Sequence, residues 1–198
     1  MKRIEYYNPQ SLNEAWKQKK KVSGARFVAG GTDILVKIKN RELIPSALIS
    51  LRSIPELAGV QNGNVTRIGA MITIADLVQH SVLCDNYPAL VNAARTLGGV
   101  QIRNVATIGG NLCNCSPCSD TALPLLILDA KVRLKLSGKS REIPLHDFFL
   151  GPGESCLTEE EILTDILLDP SSPNTKAIFL KKGRVKMDLA IALSLIHI

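Results

Sequence analysis

Two similar glycine pairs are the residues of this sequence whose types and spacing best suit ligand chemistry. The first lies in residues 28–33 (VAGGTD) and the second in residues 107–112 (TIGGNL), and in each case an apolar residue directly precedes Gly-Gly and a polar residue follows it. Adjacent glycines can take positive φ and turn their N–H groups inward with no Cβ in the way, which makes a nest for an anion. Two such nests predict a diphosphate site, although an ordinary turn remains the alternative for either pair alone.

Competing phosphate and hydrolase motifs are excluded by their spacing. The dinucleotide fingerprint G-x-G-x-x-G is absent, and the Gly-Lys-Ser of residues 138–140 lacks the glycine that a P-loop needs five residues earlier, where Arg133 stands in an alternating strand. No G-x-S-x-G elbow is present, and His80, His146 and His197 have no spacing suited to a metal pair or a triad. The sequence therefore predicts no catalytic side chain and no resident metal.

The elements around the first pair predict a small α/β lobe over residues 1–53. Ser11, with Glu14 three residues later, is typical of a helix N-terminus. Residues 26–29 then predict a strand, which is followed by a turn at the glycine pair and a helix from Ile34. Residues 47–51 predict a second buried strand.

A larger, mixed α+β lobe is expected over residues 54–173, with residues 174–198 as the stub of a further domain. Asn62-Gly63 indicates a hairpin, Thr73 a helix start, and residues 88–97 a helix. Residues 131–145 alternate charged and apolar side chains around a Ser-Gly turn, which predicts an antiparallel hairpin.

Composition limits the class of protein. A chain of 198 residues with 45% hydrophobic residues can bury a substantial core. The formal charge of +6 could suit nucleic acid, but aromatics are only 4% and no nucleic-acid-binding motif is present, so no nucleic-acid partner is expected. The apolar runs are far shorter than the roughly 20 residues that span a bilayer, and the first residues lack the apolar core of a secretory signal, so we expect neither feature. We therefore expect no membrane association. Five cysteines, an odd number, do not suit a secreted disulfide framework, so we expect reduced thiols and a cytoplasmic location.

Three segments carry a resemblance to a known family: residues 27–35 (FVAGGTDIL), 101–111 (QIRNVATIGGN) and 116–120 (SPCSD). They resemble the FAD-binding subunits of molybdenum hydroxylases, a family that includes xanthine, carbon monoxide, nicotinate and aldehyde dehydrogenases. The resemblance implies an α+β, two-lobed FAD-binding fold of the vanillyl-alcohol oxidase or p-cresol methylhydroxylase type, with FAD in the crevice between the lobes.

The same resemblance implies a set of cofactor-binding residues. Residues 28–35 would wrap the FAD diphosphate, and residues 107–111 would form a second phosphate loop. Asp120 would accept hydrogen bonds from ribityl or ribose hydroxyls. Leu97 and Leu163 would lie near the flavin rings, with Lys181 within reach of the cofactor. The full expected set is Val28, Ala29, Gly30, Gly31, Thr32, Asp33, Ile34, Leu35, Leu97, Thr107, Ile108, Gly109, Gly110, Asn111, Asp120, Leu163 and Lys181.

The function that the resemblance implies is electron transfer. Reducing equivalents would leave a substrate at a molybdenum centre, pass through iron–sulfur clusters, reach FAD in this chain and leave to NAD⁺. The expected partners are a molybdopterin-binding large subunit and a 2Fe-2S small subunit, and the cofactor supplies the chemistry. Another flavoprotein reductase on the same fold and a redox-inactive nucleotide-binding module remain the alternatives, and flavin absorbance in the purified protein excludes the second.

The sequence departs from the family at two places. After residues 187–192 (MDLAIA) the family continues into a further α/β domain, so we expect a C-terminal truncation, and residues 193–198 resemble a translated adapter sequence. Cys113, Cys115 and Cys118 have a C-x-C-x-x-C spacing that would need a fourth ligand, such as Cys84 or Cys156, to bind zinc or a cluster. Similar subunits carry small residues there, so we interpret these cysteines as small, buried apolar side chains beneath the flavin.

Overall fold

The structure is a computed structural model that describes residues 4–170, 177–184, 190 and 192–197. The expected boundary at residues 173–174 and residues 187–189 of the family-like segment lie outside the described residues. The helices are α1 (Leu12–Lys21), α2 (Ile34–Lys39), α3 (Ile74–Gln79), α4 (Ser81–Asn86), α5 (Pro88–Arg95), α6 (Val100–Arg103), α7 (Ile108–Cys113), α8 (Ala122–Ile127) and α9 (Leu145–Phe148), with a 3-10 turn at Pro55–Leu57. The strands are β1 (Glu5–Tyr7), β2 (Arg26–Val28), β3 (Ala47–Ser50), β4 (Val60–Gln61), β5 (Thr66–Gly69), β6 (Lys131–Leu136), β7 (Lys139–Pro144), β8 (Phe149–Gly151), β9 (Glu154–Ser155), β10 (Ile162–Leu168), β11 (Ala177–Lys182) and β12 (Ala192–His197).

The small lobe consists of β1 to β3 with α1 and α2. Its strands pair as a parallel sheet in the order β1-β3-β2. Helix α1 begins where the sequence predicted, because the Ser11 hydroxyl accepts a hydrogen bond from the Glu14 N–H at 3.3 Å. Leu12, Ala15 and Trp16 share one buried face of α1, which packs on the sheet and forms the smaller hydrophobic core.

The core of the small lobe extends beyond residue 53. Ile54 and Leu57 pack into it, and so does Ile162 at the start of β10. The two lobes therefore share apolar contacts at the base of the space between them, and the division at residue 53 stays a prediction.

The large lobe consists of β4 to β10 with α3 to α9, and its main sheet has five strands in the order β4-β5-β10-β6-β7. All the pairs in this sheet are antiparallel, and every residue of the central strand β10 is buried. The predicted hairpins at residues 62–63 and 137–138 are confirmed as β4–β5 and β6–β7. Gly138 has a φ of +77°, so the P-loop-like Gly-Lys-Ser belongs to a hairpin turn that glycine favours.

The helices of the large lobe cover its sheet and position the second glycine pair. Helices α3, α4 and α5 pack on one another, and α7 packs on β10. Ile108 and Leu112 of α7 are fully buried in the larger hydrophobic core. Strands β11 and β12 form an antiparallel pair that contacts α5 and α8. Among the described helices, none combines the length and the hydropathy needed to cross a bilayer.

Candidate functional site

A cleft between the lobes contains most of the residues that the sequence predicted as a site. Its volume is about 910 Å³, at the upper end of the roughly 300–1,000 Å³ range of small-molecule pockets. The first glycine loop, residues 28–33, and α2 form one wall, and α7 with residues 116–120 forms the facing wall. The cleft therefore suits an extended ligand of dinucleotide size.

The first glycine loop offers backbone donors to this cleft. Gly31 has a φ of +85°, which glycine takes without steric cost. A Cβ on Gly30 would lie 2.1 Å from the Val105 carbonyl oxygen, so only glycine permits this close approach to the large lobe. Within the described part of the chain, the N–H groups of residues 30–33 donate to no protein acceptor. Unpaired donors that line a cleft are what an anion nest requires.

The second glycine pair does not form the positive-φ nest that the sequence predicted. Gly109 and Gly110 lie in the first turn of α7, and neither has a positive φ. The Thr107 hydroxyl accepts the Gly110 N–H at 3.1 Å, and the Gly109 N–H donates to the Ala70 carbonyl at 2.9 Å. This prediction was wrong because a threonine N-cap starts a helix where a loop was expected.

The glycines of α7 permit close packing instead. A Cβ on Gly109 would lie 2.6 Å from the Ala70 Cβ, which requires something to shift. A Cβ on Gly110 would lie 3.4 Å from the Ala29 Cβ in the first glycine loop. The two glycine pairs thus meet across the cleft, with Gly110 facing the opposite wall.

Asn111 positions the turn that carries Asp120. Its Oδ1 accepts hydrogen bonds from the hydroxyls of Ser119 and Thr121, both at 2.6 Å. These two residues flank Asp120, whose side chain is thereby fixed at the cleft. Asn111 therefore holds the turn that places the Asp120 carboxylate at the cleft.

Asp120 forms a buried ion pair with Lys181. The Lys181 Nζ lies 2.9 Å from the Asp120 Oδ2 and donates to the Thr96 carbonyl at 3.2 Å. Burial raises the pKa of the Asp120 carboxyl above its usual value, and the hydrogen bond from Lys181 opposes that rise. The other oxygen, Oδ1, is buried and has no hydrogen-bond partner in the described part of the protein. Since an unpaired buried oxygen costs free energy, this atom is an acceptor available to a ligand hydroxyl.

Two leucines form apolar parts of the cleft wall. Leu97, which follows α5, and Leu163, in β10, are both buried and line the cleft. The Arg103 Nη1 donates to the carbonyls of Leu97 and Gly98 at 3.1 and 2.7 Å, which fixes the loop after α5. These side chains can exclude water from an aromatic ring system.

The structure brings most of the predicted residues together. Leu35, 54% exposed, lies outside the cleft lining, and Ile108 is buried in the larger core. The roles predicted for these two residues gain no support from their positions. The predicted residues that line the cleft are Val28, Ala29, Gly30, Gly31, Thr32, Asp33, Ile34, Leu97, Thr107, Gly109, Gly110, Asn111, Asp120, Leu163 and Lys181.

Sequence reasoning missed the polar contacts between the two walls. The Asn114 Nδ2 donates to the Asp33 Oδ1 at 3.0 Å, and the Lys37 Nζ donates to the Asn114 Oδ1 at 3.2 Å. Asn114 is 81 and 77 residues away from these partners along the chain, so no local pattern could indicate the contact.

The cysteines of the second loop differ in exposure. Cys115 is buried, as interpreted from the sequence, but Cys113 is exposed and lines the cleft. Because Cys113 lines the cleft, a flavin bound there would cover its side chain, so the position of this residue beneath the flavin stays a prediction. Among the described residues, no group of three or more histidine, cysteine or acidic side chains is placed to bind a metal ion.

Comparison with known proteins identifies the family. Residues 2–170 match the FAD binding domain in molybdopterin dehydrogenase. The xanthine dehydrogenase FAD-binding subunit of Escherichia coli O157:H7 is 36% identical over 149 residues, which cover 74% of this chain and 51% of that subunit. The nicotinate dehydrogenase FAD-subunit of Eubacterium barkeri is 34% identical over 199 residues, covering 97% of this chain and 67% of that subunit.

Solved structures agree with the sequence relatives. Carbon monoxide dehydrogenase from Hydrogenophaga pseudoflava matches with a TM-score of 0.91 and 32% identity, over 95% of this chain and 66% of that chain. Quinoline 2-oxidoreductase from Pseudomonas putida 86 matches with a TM-score of 0.92 and 25% identity, over 98% of this chain and 67% of that chain. The expected α+β, two-lobed FAD-binding fold is confirmed.

The chain belongs to the family of FAD-binding domains in molybdopterin dehydrogenases, and FAD is its cofactor. It spans between about half and two thirds of the length of the relatives described above. The relatives are subunits of oxidoreductases.

The residues of the cleft fit this cofactor. Unpaired N–H groups of residues 30–33 suit a diphosphate, and the buried Asp120 Oδ1 suits a sugar or ribityl hydroxyl. Leu97 and Leu163 suit the apolar face of a ring.

Replacement of the three loop cysteines tests whether a metal belongs to this loop. We expect the variant Cys113→Ala, Cys115→Ala, Cys118→Ala to bind FAD with an affinity within about threefold of wild type, because none of these thiols is needed as a polar partner of the cofactor. The measurements are a flavin titration and metal analysis of anaerobically purified protein. Iron or zinc near one equivalent per chain, lost in the variant together with FAD binding, would contradict this expectation.

Proposed function

We propose that this chain is the FAD-binding part of a flavin subunit in a multi-subunit molybdenum hydroxylase, where it passes electrons from partner iron–sulfur clusters to NAD⁺. The observation that carries the proposal is the cleft itself, in which unpaired backbone donors and an unpaired buried carboxylate oxygen occur together in a member of this family.

The residues of the cleft have binding and orienting roles in this proposal. The N–H groups of residues 30–33 donate to the diphosphate oxygens, and the Asp120 Oδ1 accepts from a hydroxyl. The Lys181 ammonium, 2.9 Å from the Asp120 carboxylate, opposes the rise in the Asp120 pKa that burial causes and fixes the position of the carboxylate. Leu97 and Leu163 exclude water beside the ring system.

No side-chain acid or base is assigned, because the bound flavin itself supplies the electron transfer chemistry. The chain contributes the position of the cofactor and the electrostatic surroundings of the cleft. The Asp120–Lys181 ion pair, whose two side chains are each less than a tenth exposed, is part of those surroundings.

The proposed partners are a molybdopterin-binding large subunit and a 2Fe-2S small subunit. The support is that the relatives are named as subunits or medium chains, for example the carbon monoxide dehydrogenase medium chain of Hydrogenophaga pseudoflava. We also propose a cytoplasmic location, since all five cysteines are free and NAD⁺ is the proposed acceptor.

Flavin reduction in the assembled enzyme tests the proposal. The chain is co-expressed with the proposed molybdopterin-binding and 2Fe-2S subunits, and the purified complex is mixed anaerobically with NADH in a stopped-flow spectrophotometer. We expect NADH to bleach the flavin absorbance and then to reduce the clusters. A complex whose flavin binds normally but is not reduced by NADH would exclude NAD⁺ as the acceptor. An assembled complex that contains its iron–sulfur clusters but releases no flavin on denaturation would contradict the proposed function.

A further inference from the structure

The first glycine loop and α2 are held in place by few contacts. Helix α2 buries none of its six residues, although four of them are apolar. Asp33, at the N-terminus of this helix, makes no capping hydrogen bond through its side chain. Segments with so little burial open at low free-energy cost, so the contacts that do tie this wall to α7 matter for a bound ligand.

Contacts between the two walls occur at two depths. At the inner level, Gly30 lies against the Val105 backbone and Ala29 lies against Gly110. At the outer level, Asn114, the residue that directly follows α7, contacts both Asp33 and Lys37. The inner contacts are apolar or steric, whereas the outer contact consists of directed hydrogen bonds.

The Asn114 carboxamide bridges two opposite charges that lie one helical turn apart. Its Nδ2 donates to the Asp33 carboxylate at 3.0 Å, and its Oδ1 accepts from the Lys37 ammonium at 3.2 Å. Each hydrogen bond has one charged partner, which makes it stronger than a neutral one. A neutral amide satisfies both groups at once, which neither a carboxylate nor an ammonium could do at this position.

We propose that Asn114 is a positioning residue for FAD: its amide latches the first glycine loop and α2 to the end of α7 and so slows the release of bound cofactor. Asn114 acts on the loop through Asp33. The inference rests on FAD lying in the cleft, and it adds a residue that determines how long FAD stays there.

The test compares FAD release from Asn114→Ala, Lys37→Met and the double variant of the full chain. Bound FAD is chased by dilution, and the recovery of flavin fluorescence gives the dissociation rate. We expect each single variant to release FAD about threefold to tenfold faster than wild type. The double variant should match the faster single variant instead of multiplying the two effects, because both changes remove one bridge. The thermal midpoint of the apoprotein should not change, since the bridge is exposed.

Asn92→Ala is the matched control, because Asn92 is an exposed asparagine whose amide contacts Arg95 within α5 and no residue of the other lobe. It should release FAD at the wild-type rate. Release from Asn114→Ala at the rate of this control would overturn the latch while leaving FAD binding intact. The latch would also be overturned if Asn114→Ala lowered the free energy of unfolding of the apoprotein as much as it lowered the free energy of FAD binding, because Asn114 would then have a structural role. Failure of the wild-type chain to bind FAD would instead contradict the proposed function.

Discussion

Gly110→Val is expected to weaken FAD binding by about 3 kcal/mol, roughly 100-fold, while the protein still folds. The added Cβ would lie 2.9 Å from the Thr107 hydroxyl that caps α7 and 3.4 Å from the Ala29 Cβ across the cleft. The valine methyls would extend from there into the space between the two walls. Folding should survive because valine has a better helix propensity than glycine. The measurement is a flavin titration of the purified variant, with circular dichroism as the check on folding.

Gly63→Val is the matched control for this substitution. Gly63 lies in the β4–β5 turn with its nearest contact at 3.8 Å and no positive φ. This variant should bind FAD as wild type does. Gly110→Val protein that retains flavin at wild-type stoichiometry and affinity would show that this face of α7 does not contact the cofactor.

Asp120→Ala is expected to weaken FAD binding by about 1 to 3 kcal/mol, the range for leaving a buried hydrogen-bonding group unpaired. The substitution removes the free Oδ1 acceptor. Among the described residues, it also leaves the Lys181 ammonium, 9% exposed, with the Thr96 carbonyl as its one remaining acceptor. Loss of one partner of a buried pair is destabilising, so the thermal midpoint of the apoprotein should also fall. Flavin titration and thermal unfolding measure the two effects separately.

Two further variants separate the roles of this carboxylate. Asp120→Asn retains an oxygen acceptor and should lose less FAD affinity than Asp120→Ala. Lys181→Met removes the ion pair but leaves both carboxylate oxygens, so it should lower stability more than affinity. Unchanged affinity in Asp120→Ala would remove Asp120 from the site, and complete unfolding would make it a structural residue only.

The elements that local patterns specify were predictable from the sequence. Ser11 with Glu14 indicated α1, and the alternation around Gly138 indicated the β6–β7 hairpin, because capping and strand alternation depend on neighbouring residues. The first glycine pair was also placed correctly between a strand and a helix.

Contacts between distant segments were not predictable in the same way. Asp120 and Lys181 are 61 residues apart, and the pairing depends on how β11 packs against α5. The sequence did contain a local signal for a helix at the second glycine pair, because Thr107 is a good N-cap residue. The similarity of the two glycine pairs led us to predict the same loop conformation for both. Asn114 had no sequence signal for its role, because both its partners lie on the other lobe.

A titration of the purified chain with FAD, followed by calorimetry and by quenching of flavin fluorescence, tests the central claim most directly. We expect saturable binding of one FAD per chain, with quenched fluorescence because the ring system would enter the cleft beside Leu97 and Leu163. The same titration with Gly110→Val should show binding weakened about 100-fold. Folded wild-type protein that leaves flavin fluorescence unchanged and shows no heat of binding would contradict the account.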